Sequence, residues 1–171
     1  MIKLLSLFIS AVLFPLFYSS GEDNSLRDYS SENIKSVWFE KEDWRLTYPV
    51  IALYSDKQLT LHFDVVEGDY GSLSYKIIHC DRDWYNSDLF NSDYLEGFEE
   101  NRISSYDASF NTTVSYTHYS LRLPNEDVQF KISGNFLIVI YASGEEDRPL
   151  LTRRFYVHEN ATTASVTFRR P

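Results

Sequence analysis

Residues 75–84 read Tyr75-Lys76-Ile77-Ile78-His79-Cys80-Asp81-Arg82-Asp83-Trp84, a run of strand formers that ends in three charges and an indole. Successive side chains of an extended chain point to opposite sides, so Ile77 and His79 share one face and Ile78 and Cys80 the other. Both faces suit burial, which is the pattern of a central strand. Asp81 and Asp83 end the pairing, because short carboxylates bond nearby backbone amides in turns. Trp84 is placed to fold back over the open end of the core.

Upstream, Leu59, Leu61, Phe63 and Val65 alternate with Thr60, His62, Asp64 and Val66, the signature of a strand with one face on a core and one in water. The link Glu67-Gly68-Asp69-Tyr70-Gly71-Ser72 offers two glycines for positive φ and predicts a hairpin between these two strands. Similar strand-length runs recur at 37–39, 50–54, 106–111, 114–123, 136–141 and 150–157. Leu123-Pro124-Asn125-Glu126-Asp127 and Ser143-Gly144-Glu145-Glu146-Asp147 separate them with turn residues. Residues 89–99 lack a clear helical period and read as a long ordered loop. The pattern predicts an all-β, immunoglobulin-like Greek-key β-sandwich of about seven to eight strands. There is no Cys-Trp-Cys pattern of the antibody type.

The chain has 171 residues, 43% of them hydrophobic and 16% aromatic, enough for one well-buried core. A formal charge of -9 and a pI near 4.8 exclude partners held through phosphates, so neither nucleic acid nor an anionic lipid surface is expected. Lys3 precedes an apolar run from Leu4 to Phe17 that gives way to Tyr18-Ser19-Ser20-Gly21. That layout predicts a cleaved signal peptide over 1–21, because the run is shorter than the ~20 residues a membrane span needs. A polar leader over 22–33, with little to bury, is expected to be mobile. The β-sandwich domain is expected over 34–160, and 161–171 is expected to be the truncated start of a following region. Export leads to an oxidising compartment, yet the chain has a single cysteine, Cys80, so no intrachain disulfide forms.

No chemistry-bearing constellation stands out. His79, Cys80 and Asp81 are strand neighbours whose side chains diverge, so they predict a core histidine bonded to a backbone carbonyl and a buried thiol, not a metal site. Asp81, Asp83, Asp88, Asp93, Glu96, Glu99 and Glu100 crowd the next loop without a calcium-loop spacing, which assigns them to turn capping and solvation. His118 lies inside a strand, and no Gly-x-Ser-x-Gly elbow occurs. These features predict a non-enzyme without cofactor or metal. The long loop 81–100, with Trp84, Tyr85, Phe90, Tyr94 and Phe98 among its acids, is the expected partner-binding segment. Arg153 and Arg154 form a second candidate contact.

Several short stretches together resemble a known family. They are Tyr48-Pro49-Val50-Ile51, Leu59 to Asp64, His79-Cys80-Asp81 with Asp83-Trp84, Ser87-Asp88-Leu89 and Tyr94-Leu95-Glu96-Gly97-Phe98. Asn111-Thr112, Tyr116-Thr117-His118-Tyr119, Leu123-Pro124-Asn125, Ser133-Gly134-Asn135-Phe136 and Thr152-Arg153-Arg154-Phe155 continue the series. In this order they resemble the N-terminal domain of the type IX secretion system plug proteins of Bacteroidota, from about Val37 to Val157. The resemblance implies a periplasmic protein on the inner side of the outer membrane, monomeric when free and not inserted in the bilayer. It implies a partner, the outer-membrane β-barrel translocon, whose periplasmic opening the plug seals, and it carries no catalytic residues. The alternative is an exported carbohydrate-binding β-sandwich, which would place three or more coplanar exposed aromatics on one sheet.

Overall fold

The structure is a computed structural model that describes residues 26–41, 47–68 and 70–159. In chain order its elements are β1 (Tyr29–Ser30), β2 (Ile34–Lys41), β3 (Val50–Ala52), β4 (Leu59–Val66) and β5 (Leu73–Cys80). A short helix, α1 (Asn91–Tyr94), is followed by β6 (Leu95–Gly97), β7 (Asn101–Arg102), β8 (Tyr106–Ala108) and β9 (Tyr116–Leu123). β10 (Val128–Phe130), β11 (Gly134–Ala142) and β12 (Pro149–His158) follow.

One sheet runs β1-β12-β11-β5-β7, with β3 parallel to the other half of β12, and the second runs β2-β4-β9-β8. The core lies between them. Leu59, Leu61, Phe63 and Val65 of β4 point into it, as the alternation predicts, and pack with Phe136, Ile138 and Ile140 of β11 and Phe155 of β12. Phe39 meets Phe155 across the sandwich at 5.6 Å, and Phe136 stacks on Phe155 at 5.4 Å. Such aromatic pairs add to the area they bury, and the Phe39–Phe155 pair joins the two sheets. The β6–β10 pair closes one end with Leu95, Val128 and Phe130.

The eight expected strand runs are all present, and the fold is the all-β sandwich that the sequence predicts. β4 lies beside β9 and β5 beside β11, so neighbours in space are distant in sequence, the Greek-key character. Four further strands, β1, β6, β7 and β10, are two or three residues long and carry too little pattern to be read.

Three expectations are corrected. The 67–72 link is no hairpin, because β4 and β5 belong to different sheets and the chain crosses the core edge between them. Its positive φ values fall on Glu67 and Gly71. The leader is not loose over 26–33: Tyr29 and Ser30 pair with Thr152 and Leu151. Residues 89–99 are built from α1 and β6 instead of an irregular loop. The signal peptide, the start of the leader and the 161–171 region fall outside the described residues. Among the described residues no helix is long and apolar enough to cross a membrane.

Candidate functional site

The segment that follows β5 is fastened at its root by backbone amides. The Asp81 carboxylate accepts from the Asp83 and Tyr85 amides at 2.8 and 3.0 Å, the turn expected of a short acid after a strand. Asn135 donates to the Asp81 carbonyl at 2.9 Å, and the Ser87 amide to the His79 carbonyl at 3.0 Å. His79 sits on the core face and bonds both Ser87 Oγ, at 2.9 Å from its Nδ1, and the Ser133 carbonyl. Burial pulls its pKa below the usual 6.5, with the Ser133 bond opposing. Cys80 faces the other way, buried and unpaired, and burial pushes its thiol up to about 11.

Further on, Asp93 caps α1 by accepting from the Phe90 amide at 3.0 Å. The Tyr94 hydroxyl donates to the Ile77 carbonyl at 3.1 Å, and the Lys131 ammonium donates to the Ser92 carbonyl at 2.6 Å. Gly97 stands at φ 128, and a Cβ there would lie 1.8 Å from the Asp127 carbonyl oxygen. The segment is therefore a rigid display element, not a slack connection.

What it displays differs from the set read in the sequence. Phe90 and Phe98 are 79% and 73% exposed, and Tyr85 and Leu89 are each 43% exposed. Beside them an open cleft of about 380 Å³ is lined by Asn91, Ser92, Leu95, Glu96, Gly97 and Lys131. Tyr94 is withdrawn from the surface, 7% exposed, because its ring fills the core end and its hydroxyl has the Ile77 carbonyl as partner. Trp84 does not cover the open end of the core. It lies over the outer face of the β5–β11–β12 sheet with Cys80, Leu137 and Val139.

Arg153 and Arg154 are likewise engaged within the fold. Arg154 stacks on Trp84 at 4.2 Å from the ring centre, and its Nε donates to the Leu26 carbonyl at 2.9 Å. Arg153 donates to the Tyr29 carbonyl at 2.9 Å and to Ser30 Oγ at 2.8 Å. The two arginines hold residues 26–30 against β12. Trp84 and Arg154 are thus brought together, but as the anchor of the amino-terminal segment.

The sequence also conceals a cluster on the outer face of β2-β4-β9. Trp38, His62, Asp64 and His118 converge there because the register sets Trp38 opposite His62 and Asp64 opposite His118. His118 Nδ1 lies 2.7 Å from the Asp64 carboxylate, and its Nε2 3.3 Å from His62 Nδ1. Trp38 stacks on His62 with centroids 4.9 Å apart. A signal was available, since the alternation puts His62 and Asp64 on one face. The pairing with β9 was not.

Compared with known proteins, residues 34–159 match the type 9 secretion system plug protein 1st domain. The chain belongs to this family. No curated protein matches it. Among solved structures, a hypothetical protein from Parabacteroides merdae superposes with a TM-score of 0.73 at 36% identity, over 77% of this chain. The chain spans 33% of that protein's length. The plug-domain match takes in the whole display segment from Asp81 to Glu100 and the Trp38–His62–Asp64–His118 cluster. It begins after residues 26–33, so the strand β1 that the two arginines hold lies outside it. Family membership gives the chain a role connected with type 9 secretion.

Proposed function

We propose that this chain is a non-enzymatic component of the type IX secretion system that docks on the periplasmic face of the outer-membrane β-barrel translocon and seals its periplasmic opening. The observation that carries the reading is the plug-domain match across residues 34–159. A plug acts through shape and contact area, and Phe90 and Phe98 on a fastened segment offer the kind of rigid aromatic anchor that dominates protein interfaces. The export signal read in residues 1–21 agrees with a periplasmic place of action. The arrangement of aromatics supports this reading over a sugar platform: among the described residues Trp38 and Tyr116 share one outer sheet face and Tyr29 and Tyr156 the other, an exposed pair on each and short of the three rings a platform needs. Tyr54, Tyr85, Phe90, Phe98 and Phe110 stand on connections.

The test is capture of partners by the tagged chain expressed in a Bacteroidota cell, with crosslinking before detergent extraction of the outer membrane. The expected result is co-purification of the large translocon barrel. Recovery of the chain without the barrel, at a translocon level confirmed by blotting, would remove the proposal.

A further inference from the structure

We infer that His62 and His118 form a binding site for a divalent transition-metal ion of imidazole preference, zinc or copper, on the outer face of β2-β4-β9. The two rings meet edge to edge, with centroids 5.5 Å apart and His62 Nδ1 3.3 Å from His118 Nε2. That separation is long for a hydrogen bond and equals the edge of a metal tetrahedron. Bonds of 2.0–2.1 Å at tetrahedral angles set two ligating nitrogens about 3.3–3.4 Å apart.

The second coordination layer is also in place. The Asp64 carboxylate holds His118 Nδ1 at 2.7 Å, which fixes the proton on that nitrogen and leaves the Nε2 lone pair aimed at His62. A carboxylate behind a ligating histidine is the arrangement that orients the ring and raises its basicity. Trp38 lies over both imidazoles, with centroids at 4.9 and 5.9 Å, and shields one side of the pair. Strand pairing sets Lys35 opposite Asp64, Asp107 opposite His118 and Ser120 opposite His62. Among the described residues no third ligating side chain converges on the pair. The ion takes the place of the proton that His62 Nδ1 donates to His118 Nε2, and that proton moves through solvent to His62 Nε2, so both facing nitrogens ligate as neutral imidazoles. His62 turns about its soft χ2 bond to bring its lone pair onto the ion, while Asp64 keeps His118 in place.

The simpler alternative is that the pair only shares a proton and binds no metal. Calorimetric titration of the purified protein with zinc chloride separates the two. The expected result is saturable one-to-one binding that is lost in His62→Gln and in His118→Gln and weakened about 10–100-fold in Asp64→Asn. His158→Gln, an exposed histidine elsewhere, should bind as the parent does. Copper(II) should quench tryptophan fluorescence in the parent, and Trp38→Phe should abolish most of that quenching while keeping the calorimetric stoichiometry. Circular dichroism of each variant identifies any that fails to fold, and the Asp64→Asn and Trp38→Phe readouts decide the matter if a histidine variant does. Absence of saturable binding, or binding unchanged in both histidine variants, would overturn the assignment.

Discussion

The Arg154 guanidinium lies 4.2 Å from the centre of the Trp84 ring, which in turn meets Tyr156 edge-on at 5.5 Å. Trp84 comes from the turn after β5 and sits at φ 68, a conformation in which a bulky residue is an outlier. Such a residue persists only where its surroundings fix it. Here the Asp81 turn, the stacked arginine and the bond from the Leu26 amide to the Trp84 carbonyl at 2.7 Å do so. One arginine thereby couples the β5 turn to the amino-terminal segment.

Arg154→Ala removes the stack and the bonds to the Leu26 carbonyl together. A partly desolvated cation–π contact and a charged hydrogen bond together predict a loss of about 2 kcal/mol. Hydrogen exchange at the Leu26 and Ser31 amides, which bond Trp84 and Leu150, should accelerate more than exchange in β11. Arg154→Lys should recover little, because an ammonium has no planar face to stack. Unchanged exchange at Leu26 in the alanine variant would contradict the anchoring role.

His79 predicts an acid-side loss of stability. Its folded pKa lies below the usual 6.5 because burial disfavours the imidazolium, so as pH falls through 6.5 the unfolded chain takes up a proton first. Stability from this group is complete above 6.5 and declines as pH drops below it. The melting temperature of the parent should therefore fall more steeply from pH 7 to 5 than that of His79→Gln. Parallel curves would show that the ring titrates alike in both states.

Gly97 gives a steric prediction. At φ 128 only glycine is at ease, and a Cβ would meet the backbone carbonyl of Asp127, which cannot give way without breaking the β6–β10 pairing. Gly97→Ala should cost more than 2 kcal/mol and lower the melting temperature by several degrees. Gly144→Ala, at φ 88 with nothing within 4 Å of the new Cβ, should cost less, because only the backbone conformation is strained. Equal losses would assign both effects to φ alone.

The sandwich was legible because β4, β5, β9, β11 and β12 carry their burial in local alternation or unbroken apolar runs. The sheet to which each belongs was not, since the 67–72 link holds hairpin residues yet crosses between sheets. Short strands such as β7 form only because a long neighbour offers its edge. At the candidate site, the aromatic content of 81–100 was readable, but the division of Tyr94 from Phe90 and Phe98 depended on which ring reached the core. Arg153 and Arg154 read as a basic surface pair, and only the tertiary fold reveals that residues 26–30 occupy them. The Asp64–His118 pair, 54 residues apart, lay beyond any local pattern.

Phe90 and Phe98 test the docking surface. Both side chains are largely exposed, and Tyr85 is partly so, hence replacing all three by alanine should change the melting temperature little. Interface energy concentrates in a few aromatic anchors, so the triple variant should retain less than about a tenth of the parent's translocon capture. Tyr94→Phe supplies the opposite control. It removes the hydroxyl that bonds the Ile77 carbonyl, which should destabilise the fold by roughly 1 kcal/mol and leave capture intact. A triple variant that melts normally and still captures the barrel would move the docking surface away from 85–98. A triple variant that melts early would show that these rings cover the core end instead, whatever their exposure.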